Sequence, residues 1–102
     1  MKKVYLIRGN DGRYKIGTSK EPRKRILELQ TGNSDELTLI ETYESVNATK
    51  IESTLHRTYS HLRKHGEWFD LSVLEESKFI KNCERVDGSI NILKKMGNTF
   101  IK

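Results

Sequence analysis

The sequence predicts a mixed α/β (α+β) domain in which two strands, a helix, a third strand and two further helices follow one another. Three observations support this class. Two β-rich runs flank a tight-turn signal, two longer segments carry apolar residues at helical spacing, and glycines separate the segments. A chain of 102 residues suits one domain and leaves no room for two, so we expect a single domain over residues 1–102.

A β-hairpin opens the chain. The run Val4-Tyr5-Leu6-Ile7 is rich in residues that favour strands, and Tyr14-Lys15-Ile16-Gly17 has the same character. Between them stands Asn10-Asp11-Gly12, and the Asp-Gly pair is a strong signal for a tight turn. The two runs are therefore expected to pair as antiparallel neighbours.

A helix and a third strand follow the hairpin. Pro22 suits the first turn of a helix, where its missing N–H costs nothing, and Gly32 stops the helix. The helix is expected over about residues 22–30. Residues 37–43 alternate imperfectly between apolar and polar side chains, which predicts a strand.

The longest helix is predicted over about residues 48–63, because its apolar side chains recur every three or four positions. Asn47 is a plausible N-cap for it. A short aromatic segment, residues 67–71, follows the glycine that ends the connection.

A last helix is expected to begin at a capping box formed by Ser72 and Glu75 and to run to about residue 85. The Asp87-Gly88 pair is expected to break it. The apolar residues beyond that pair fit a short helix or a strand equally well.

The charge balance favours an anionic partner. Nineteen Lys+Arg against fourteen Asp+Glu give a formal net charge of +5. Nucleic acid is the commonest partner of a basic domain, and a basic surface without a partner is the alternative. DNA is therefore the expected partner, with RNA left open.

The lone cysteine, Cys83, excludes an intrachain disulfide and a zinc site built from thiolates. A reduced, intracellular setting is expected from this. The sequence shows no signal peptide, and no run approaches the ~20 apolar residues that a membrane span needs.

Basic residues gather at the start of the first helix. Lys20, Arg23 and Lys24 stand there, and Arg13 lies on the hairpin. They are expected to form a face that follows a phosphate backbone, and a solvated basic face is the alternative.

Five short motifs follow one another along the chain: Val4-Tyr5-Leu6, Lys15-Ile16-Gly17, Arg25, Glu52 with His56, and Glu67-Trp68-Phe69. This ordered set resembles the GIY-YIG nuclease superfamily, most closely its phage- and virus-encoded branch, whose second motif reads "KIG". The resemblance covers about residues 2–71 and leaves residues 72–102 as a helical extension. It implies a small three-stranded antiparallel sheet flanked by helices, and an endonuclease that hydrolyses DNA phosphodiester bonds with one divalent metal ion, Mg²⁺ or Mn²⁺.

The resemblance also implies roles for single residues. Tyr5 matches the tyrosine of the first motif, Arg25 the arginine of the first helix, and Glu52 the metal-binding glutamate of the later helix. The chemistry agrees with this assignment. Mg²⁺ uses few carboxylates and keeps several waters, a guanidinium bonds two phosphate oxygens at once, and a phenol with a depressed pKa can relay a proton. For Tyr5, simple packing in the strand is the alternative.

Two positions depart from the family pattern. Lys3 stands where many members have the first glycine, and Lys15 stands where distant branches have the second tyrosine. Tyr14 cannot take over that position, because neighbouring strand residues face opposite sides. Lys15 is expected to bind phosphate or polarise water, with a solvated strand residue as the alternative, and the general base remains open between Lys15 and Tyr5.

Glu52 and His56 lie four residues apart and are expected to point from one helix face into a cleft beside the sheet. His56 suits a catalytic role, either orienting the scissile phosphate or acting as an acid; a hydrogen-bonded structural histidine is the alternative. The same two residues resemble part of a zinc site, for which no third ligand is evident. Trp68 and Phe69 are expected in the core or the cleft wall rather than as stacking platforms for bases.

Two classes of function therefore stand side by side. The first is a metal-dependent DNA endonuclease. The second is a nucleic-acid-binding module on the same fold without catalysis, which the departures at Lys3 and Lys15 keep open. A protein-interaction domain has no positive sign in the sequence, and both a monomer and a homodimer are compatible with it.

Overall fold

The computed structural model describes residues 1–97, apart from the side chain of His65. Its strands are β1 (Lys3–Gly9), β2 (Tyr14–Ser19), β3 (Leu37–Glu44), β4 (Arg63–His65) and β5 (Trp68–Phe69). Its helices are α1 (Pro22–Thr31), α2 (Ala48–Thr58), α3 (Val73–Ser77) and α4 (Phe79–Lys95), with a short 3₁₀ helix (Ser60–Leu62) after α2. The predicted α+β class is confirmed. Of the segment beyond Asp87-Gly88, expected as a short helix or a strand, residues 89–95 are helical and residues 98–102 lie outside the described residues.

The sheet has five strands in the order β3-β1-β2-β5-β4, all antiparallel, where three were expected. The three predicted strands form its larger part. The aromatic segment adds β5, which joins β2 through two register pairs, Tyr14 with Phe69 and Lys15 with Trp68. Gly66, at a φ of +53°, turns the chain between β4 and β5.

Alternation along β1 divides the apolar interior into two cores. Val4 and Leu6 belong to the larger core, which α2 and α4 cover. Tyr5 and Ile7 belong to a smaller core on the other face, where the α1 residues Ile26 and Leu29 pack against them, as does Trp68. The two faces of the sheet thus carry different neighbours, and β1 contributes to both.

Tyr14 and Lys15 lie on opposite faces of β2, as predicted. Tyr14 is buried in the larger core, and its hydroxyl donates a hydrogen bond to Glu76 Oε1 at 2.5 Å. Lys15 lies on the face of the smaller core, with Nζ 5.9 Å from the centroid of the Trp68 ring.

A β-bulge explains the imperfect alternation along β3. Leu6 lies opposite Glu41 and Ile7 opposite Leu39, so Ile40 is an extra residue without a partner in the register. The bulge lets Leu39 pack in the smaller core and Ile40 in the larger one, although the two are adjacent in sequence.

The capping box of Ser72 and Glu75 is confirmed at the start of α3, but Asn47 does not cap α2. Asn47 is buried, and its amide donates instead to Asp87 Oδ1 at 2.7 Å and to Asn91 Oδ1 at 2.9 Å. The α-helix also ends at Thr58, short of the predicted end, and continues as the 3₁₀ helix.

The predicted break at Asp87-Gly88 is wrong, because α4 continues through both residues to Lys95. Asp87 accepts hydrogen bonds from Tyr43 at 2.8 Å, Ser45 at 2.9 Å and Asn47. These bonds fasten this part of α4 to the end of β3 and the start of α2. They offset the cost of a mid-helix glycine, which is ~1 kcal/mol.

We predict that Asp87→Ala lowers the free energy of unfolding at neutral pH by roughly 1–3 kcal/mol, because three donors lose their acceptor. Burial raises the pKa of Asp87, but the hydrogen bonds from Asn47, Tyr43 and Ser45 lower it more, so it lies below its ordinary value of 3.8. A lowered pKa stabilises the fold above pH 3.8 and loses that effect as the pH falls through the folded-state value. The difference between variant and wild type should therefore shrink in acid.

Urea denaturation at neutral and acid pH measures both effects. The matched control is Asp70→Ala, which removes an exposed carboxylate 4.0 Å from Lys64 and should change stability by no more than ~0.5 kcal/mol. Equal losses for the two variants at neutral pH would contradict the assigned role of Asp87.

Candidate functional site

Polar side chains from five parts of the chain lie within electrostatic reach of one another around Tyr5. We call them the Tyr5 cluster, and its members are Tyr5 of β1, Lys15 of β2, Arg25 of α1, Glu52 and His56 of α2, and Glu67 of the β4–β5 turn. Tyr5 interacts with Arg25, Glu67 and Glu52, and Glu52 in turn interacts with His56, Glu67 and Lys15. The phenol and guanidinium singled out in the sequence are therefore neighbours, and the Glu52 carboxylate lies within electrostatic reach of the phenol.

Gly17 makes room for the Tyr5 ring. The two residues are register partners on β2 and β1. A Cβ atom on Gly17 would lie within 3.0 Å of three atoms of the Tyr5 side chain, closer than such contacts occur. The ring thus lies directly across the backbone of β2. The Lys15-Ile16-Gly17 motif ends in glycine because any side chain there would clash with this ring.

The expected depression of the Tyr5 pKa is wrong. Burial raises the pKa of this phenol above 10.0, and a hydrogen bond and the positive charge from Arg25 lower it by less. The carboxylates of Glu67 and Glu52 raise it further. Tyr5 is therefore a neutral phenol at physiological pH, because its environment favours the uncharged form.

Arg25 lies on the flank of α1 that faces β2. Its half-exposed guanidinium hydrogen-bonds Tyr5 and lies 3.8 Å from Glu28 Oε1 one turn along the helix. A guanidinium has five N–H donors, so one of them can hold the phenol oxygen while others face an incoming phosphate.

Glu52 is half-buried beside the sheet, while its neighbour Ile51 enters the larger core. Burial raises the pKa of Glu52, and His56 lowers it by less. A partly desolvated carboxylate gains from a cation, so the position fits a divalent metal ion. Among residues 1–97 no three His, Cys, Asp or Glu side chains gather as a metal site, so ligands other than protein side chains would have to complete the shell. Mg²⁺ tolerates such a site, because it keeps several waters and accepts phosphate oxygens.

His56 has a structural contact. Its Nε2 lies 2.8 Å from the carbonyl oxygen of Ile16, and its ring meets Phe69 edge to face at 5.0 Å. Since a carbonyl oxygen can only accept, Nε2 must carry the hydrogen of this bond. The chemistry left to His56 is therefore confined to Nδ1.

Glu67 is the member of the cluster that the sequence reasoning missed as a site residue. Lys15 Nζ donates a hydrogen bond of 2.5 Å to Glu67 Oε2, and Lys15 is buried rather than solvated. That bond lowers the pKa of Glu67 against the effect of burial, and the charges of Lys15, His56 and Arg25 lower it further. The signal in the sequence was its place in the motif directly after Gly66.

The four basic residues expected on one face lie in two places. Lys20, Arg23 and Lys24, together with Lys3, line a groove of about 500 Å³ between α1 and β3. Arg25 and Arg23 are about 200° apart on the helix, so the groove lies on the far flank of α1 from the Tyr5 cluster. Arg13 lines a separate pocket of about 200 Å³ beside Trp68.

Arg13 is also engaged within its own turn. Its guanidinium lies 2.6 Å from Asp11 Oδ2, and its backbone N–H bonds Asp11 Oδ1 at 3.0 Å. Trp68 is half-buried against the smaller core, and Phe69 is fully buried in the larger one, as expected of core or wall residues.

The cluster combines acids, a fixed arginine and a buried lysine with a phenol, and a cationic groove lies across the helix from it. An α+β domain with these groups has what a phosphate-bearing polymer would require of its binding site. Such a polymer needs cations along its backbone and polar groups at the reacting phosphate.

The T5orf172 domain family model matches residues 2–91, and the chain belongs to this phage-associated family, which is linked to nuclease-like proteins. No curated protein and no solved structure matches the chain. Among the residues that the structure describes, no helix has the length and apolar character needed to span a membrane.

We predict that Gly17→Ala lowers the free energy of unfolding by roughly 1–3 kcal/mol, because the new methyl group overlaps the Tyr5 ring in a packed layer. Thermal unfolding monitored by circular dichroism measures the loss. Gly32→Ala is the matched control, since a Cβ there meets no atom within 4 Å and its φ is −98°. A Gly17→Ala variant as stable as this control would show that Tyr5 does not lie across β2.

Proposed function

We propose that this domain is a GIY-YIG-type endonuclease that hydrolyses phosphodiester bonds of DNA with one divalent cation, Mg²⁺ or Mn²⁺. The observation that carries the proposal is the convergence of Tyr5, Arg25 and Glu52, which come from separate elements of the fold. Packing alone gives no reason for a half-buried carboxylate and a guanidinium to lie within electrostatic reach of one phenol.

Arg25 binds the scissile phosphate in this mechanism. Its planar guanidinium can donate two parallel N–H bonds to the non-bridging oxygens while it keeps its bond to Tyr5. The charge of the phosphate grows in the transition state, and a donor fixed in advance stabilises it without reorganisation.

Glu52 holds the metal ion. When bound, the ion stabilises charge on the phosphate oxygens and lowers the pKa of a water molecule. The Glu52 carboxylate lies on a helix that the larger core fixes through Ile51 and Leu55, so its position relative to Arg25 is set by the fold.

Tyr5 and His56 have different roles towards the protons of the reaction. The Tyr5 oxygen bonds Arg25 and its pKa is raised, so the phenol keeps its proton and can donate it in a hydrogen bond to the attacking water or a phosphate oxygen. His56 can accept a proton at Nδ1, because Nε2 already bonds the Ile16 carbonyl.

The groove between α1 and β3 carries the flanking DNA. Lys3, Lys20, Arg23 and Lys24 place four cations around it, and the start of α1 separates it from Arg25. A strand whose scissile phosphate meets Arg25 can pass over the start of α1 and place neighbouring phosphates among these cations.

A second function has one observation in its favour. Because the pKa of Tyr5 is raised, its phenol stays protonated and does not supply the proton acceptor expected at this position. A nucleic-acid-binding module without catalysis needs no such acceptor. Such a module would use the same groove and would bind DNA with or without a divalent cation.

We predict that Glu52→Ala abolishes DNA cleavage in Mg²⁺ or Mn²⁺, since the cation loses its protein ligand. Affinity for DNA, measured by fluorescence anisotropy in the presence of a chelator, should stay within about threefold of the wild type, because phosphate contacts dominate binding. Chelation should stop cleavage by the wild type as well. The matched control Glu44→Ala removes an exposed carboxylate of β3 and should cut normally.

Cleavage by Glu52→Ala at the wild-type rate would reject Glu52 as the metal ligand. Tight, salt-dependent binding by a wild type that cuts no duplex, branched or single-stranded DNA would establish the binding module instead.

We predict that the double variant Lys20→Glu/Arg23→Glu weakens DNA binding by on the order of tenfold or more at low salt and flattens its salt dependence, because two phosphate contacts become repulsive. The double variant Lys81→Glu/Arg85→Glu, at two exposed sites on α4, makes the same change in net charge and is the control. Equal affinities for the two double variants would place the DNA elsewhere on the surface.

A further inference from the structure

Lys15 is an unusual cation in this chain. Among the charged residues in the described range, 1–97, Lys15 is the one that is buried, with 8% of its surface exposed. Burying an ammonium costs free energy unless a partner compensates it.

Glu67 comes in from the surface to meet this lysine. Its side chain is 54% exposed, against 10% for Lys15, and the two join at 2.5 Å. The left-handed turn at Gly66 directly precedes Glu67 and sets the direction in which the chain enters β5. The pair thus links the β4–β5 turn to the start of β2.

Trp68 adds a second restraint on the same ammonium. It is the register partner of Lys15, and its ring lies 5.9 Å from Nζ. A lysine head on a four-carbon stem is normally mobile, and here a carboxylate and an indole ring limit its positions.

The pair lies within electrostatic reach of the other members of the Tyr5 cluster. Lys15 acts on the Glu52 carboxylate, while Glu67 acts on Tyr5 and interacts with His56 and Arg25. A simple brace for β5 would need no such neighbours, and the buried Phe69 already anchors this strand in the larger core.

We propose that Glu67 is a positioning residue, which holds the Lys15 ammonium so that it contacts a non-bridging oxygen of the scissile phosphate. The proposal rests on the nuclease function proposed above. An ammonium has three N–H donors, so Lys15 can keep its bond to Glu67 and still donate to the phosphate. Lys15 on β2 and Arg25 on α1 then both bind the phosphate.

The test is single-turnover cleavage at saturating DNA by Lys15→Gln, Glu67→Gln and the double variant. Removal of a fixed donor to a developing oxyanion typically costs about 10²–10³ in rate, so we expect a loss of that size for Lys15→Gln and a smaller one, roughly tenfold, for Glu67→Gln. Because Glu67 acts through Lys15, the double variant should cut at the rate of Lys15→Gln alone.

Glu76→Gln is the matched control. It removes the charge from the corresponding acceptor on the other face of β2, which binds Tyr14 and Arg8, without touching the cluster. Its rate per folded molecule should equal the wild-type rate. Should Glu67→Gln fail to fold, Glu67→Asp keeps the charge on a shorter stem and is expected to cut at an intermediate rate.

Three results would overturn the inference. One is a Glu67 variant, folded and saturated with DNA, that cuts as fast as the wild type. Another is a double variant whose loss is the product of the two single losses, since Glu67 would then act independently of Lys15. The third is a wild type that cuts no DNA with either metal, and only this result removes the nuclease function together with the inference.

Discussion

The contact between the Tyr5 ring and the backbone at Gly17 sets the geometry of the whole functional face. β1 lies between β2 and β3, so a side chain in the middle of β1 is held on both sides by paired strands. Because Gly17 has no side chain, the Tyr5 ring can lie flat across β2 and reach toward both helices. Arg25 on α1 then hydrogen-bonds the phenol, and Glu52 on α2 acts on it through its charge, although these helices belong to different layers.

Local signals in the sequence were sufficient for much of this fold. The Asp-Gly turn, the proline that starts α1 and the capping box at α3 each involve neighbouring residues, and the opposite directions of Tyr14 and Lys15 follow from strand geometry. The signals failed where contacts between distant residues decide the outcome. Strands β4 and β5 are too short to show a period, and α4 passes Asp87-Gly88 because Tyr43, Ser45 and Asn47 bind its carboxylate.

The site shows the same division. The ordered motifs contain all six residues of the Tyr5 cluster, and every one of them except Glu67 was assigned a role from the sequence. The motifs do not give the environment of each side chain. Burial and two carboxylates raise the pKa of Tyr5, and the bond between Lys15 and Glu67 is known only from the structure. The separation of Arg23 from Arg25 was available from the sequence, because residues two apart on a helix point in nearly opposite directions.

The bulge in β3 affects how copies of this domain can associate through the edge of the sheet. β3 is an edge of the sheet, and a regular edge of eight residues would offer a template on which further chains add strand by strand. Ile40 interrupts the even spacing of the backbone groups, and the glutamates at 41 and 44 place negative charge along the same border. Copies of this domain can therefore touch at this border without joining strand to strand into a continuous fibre.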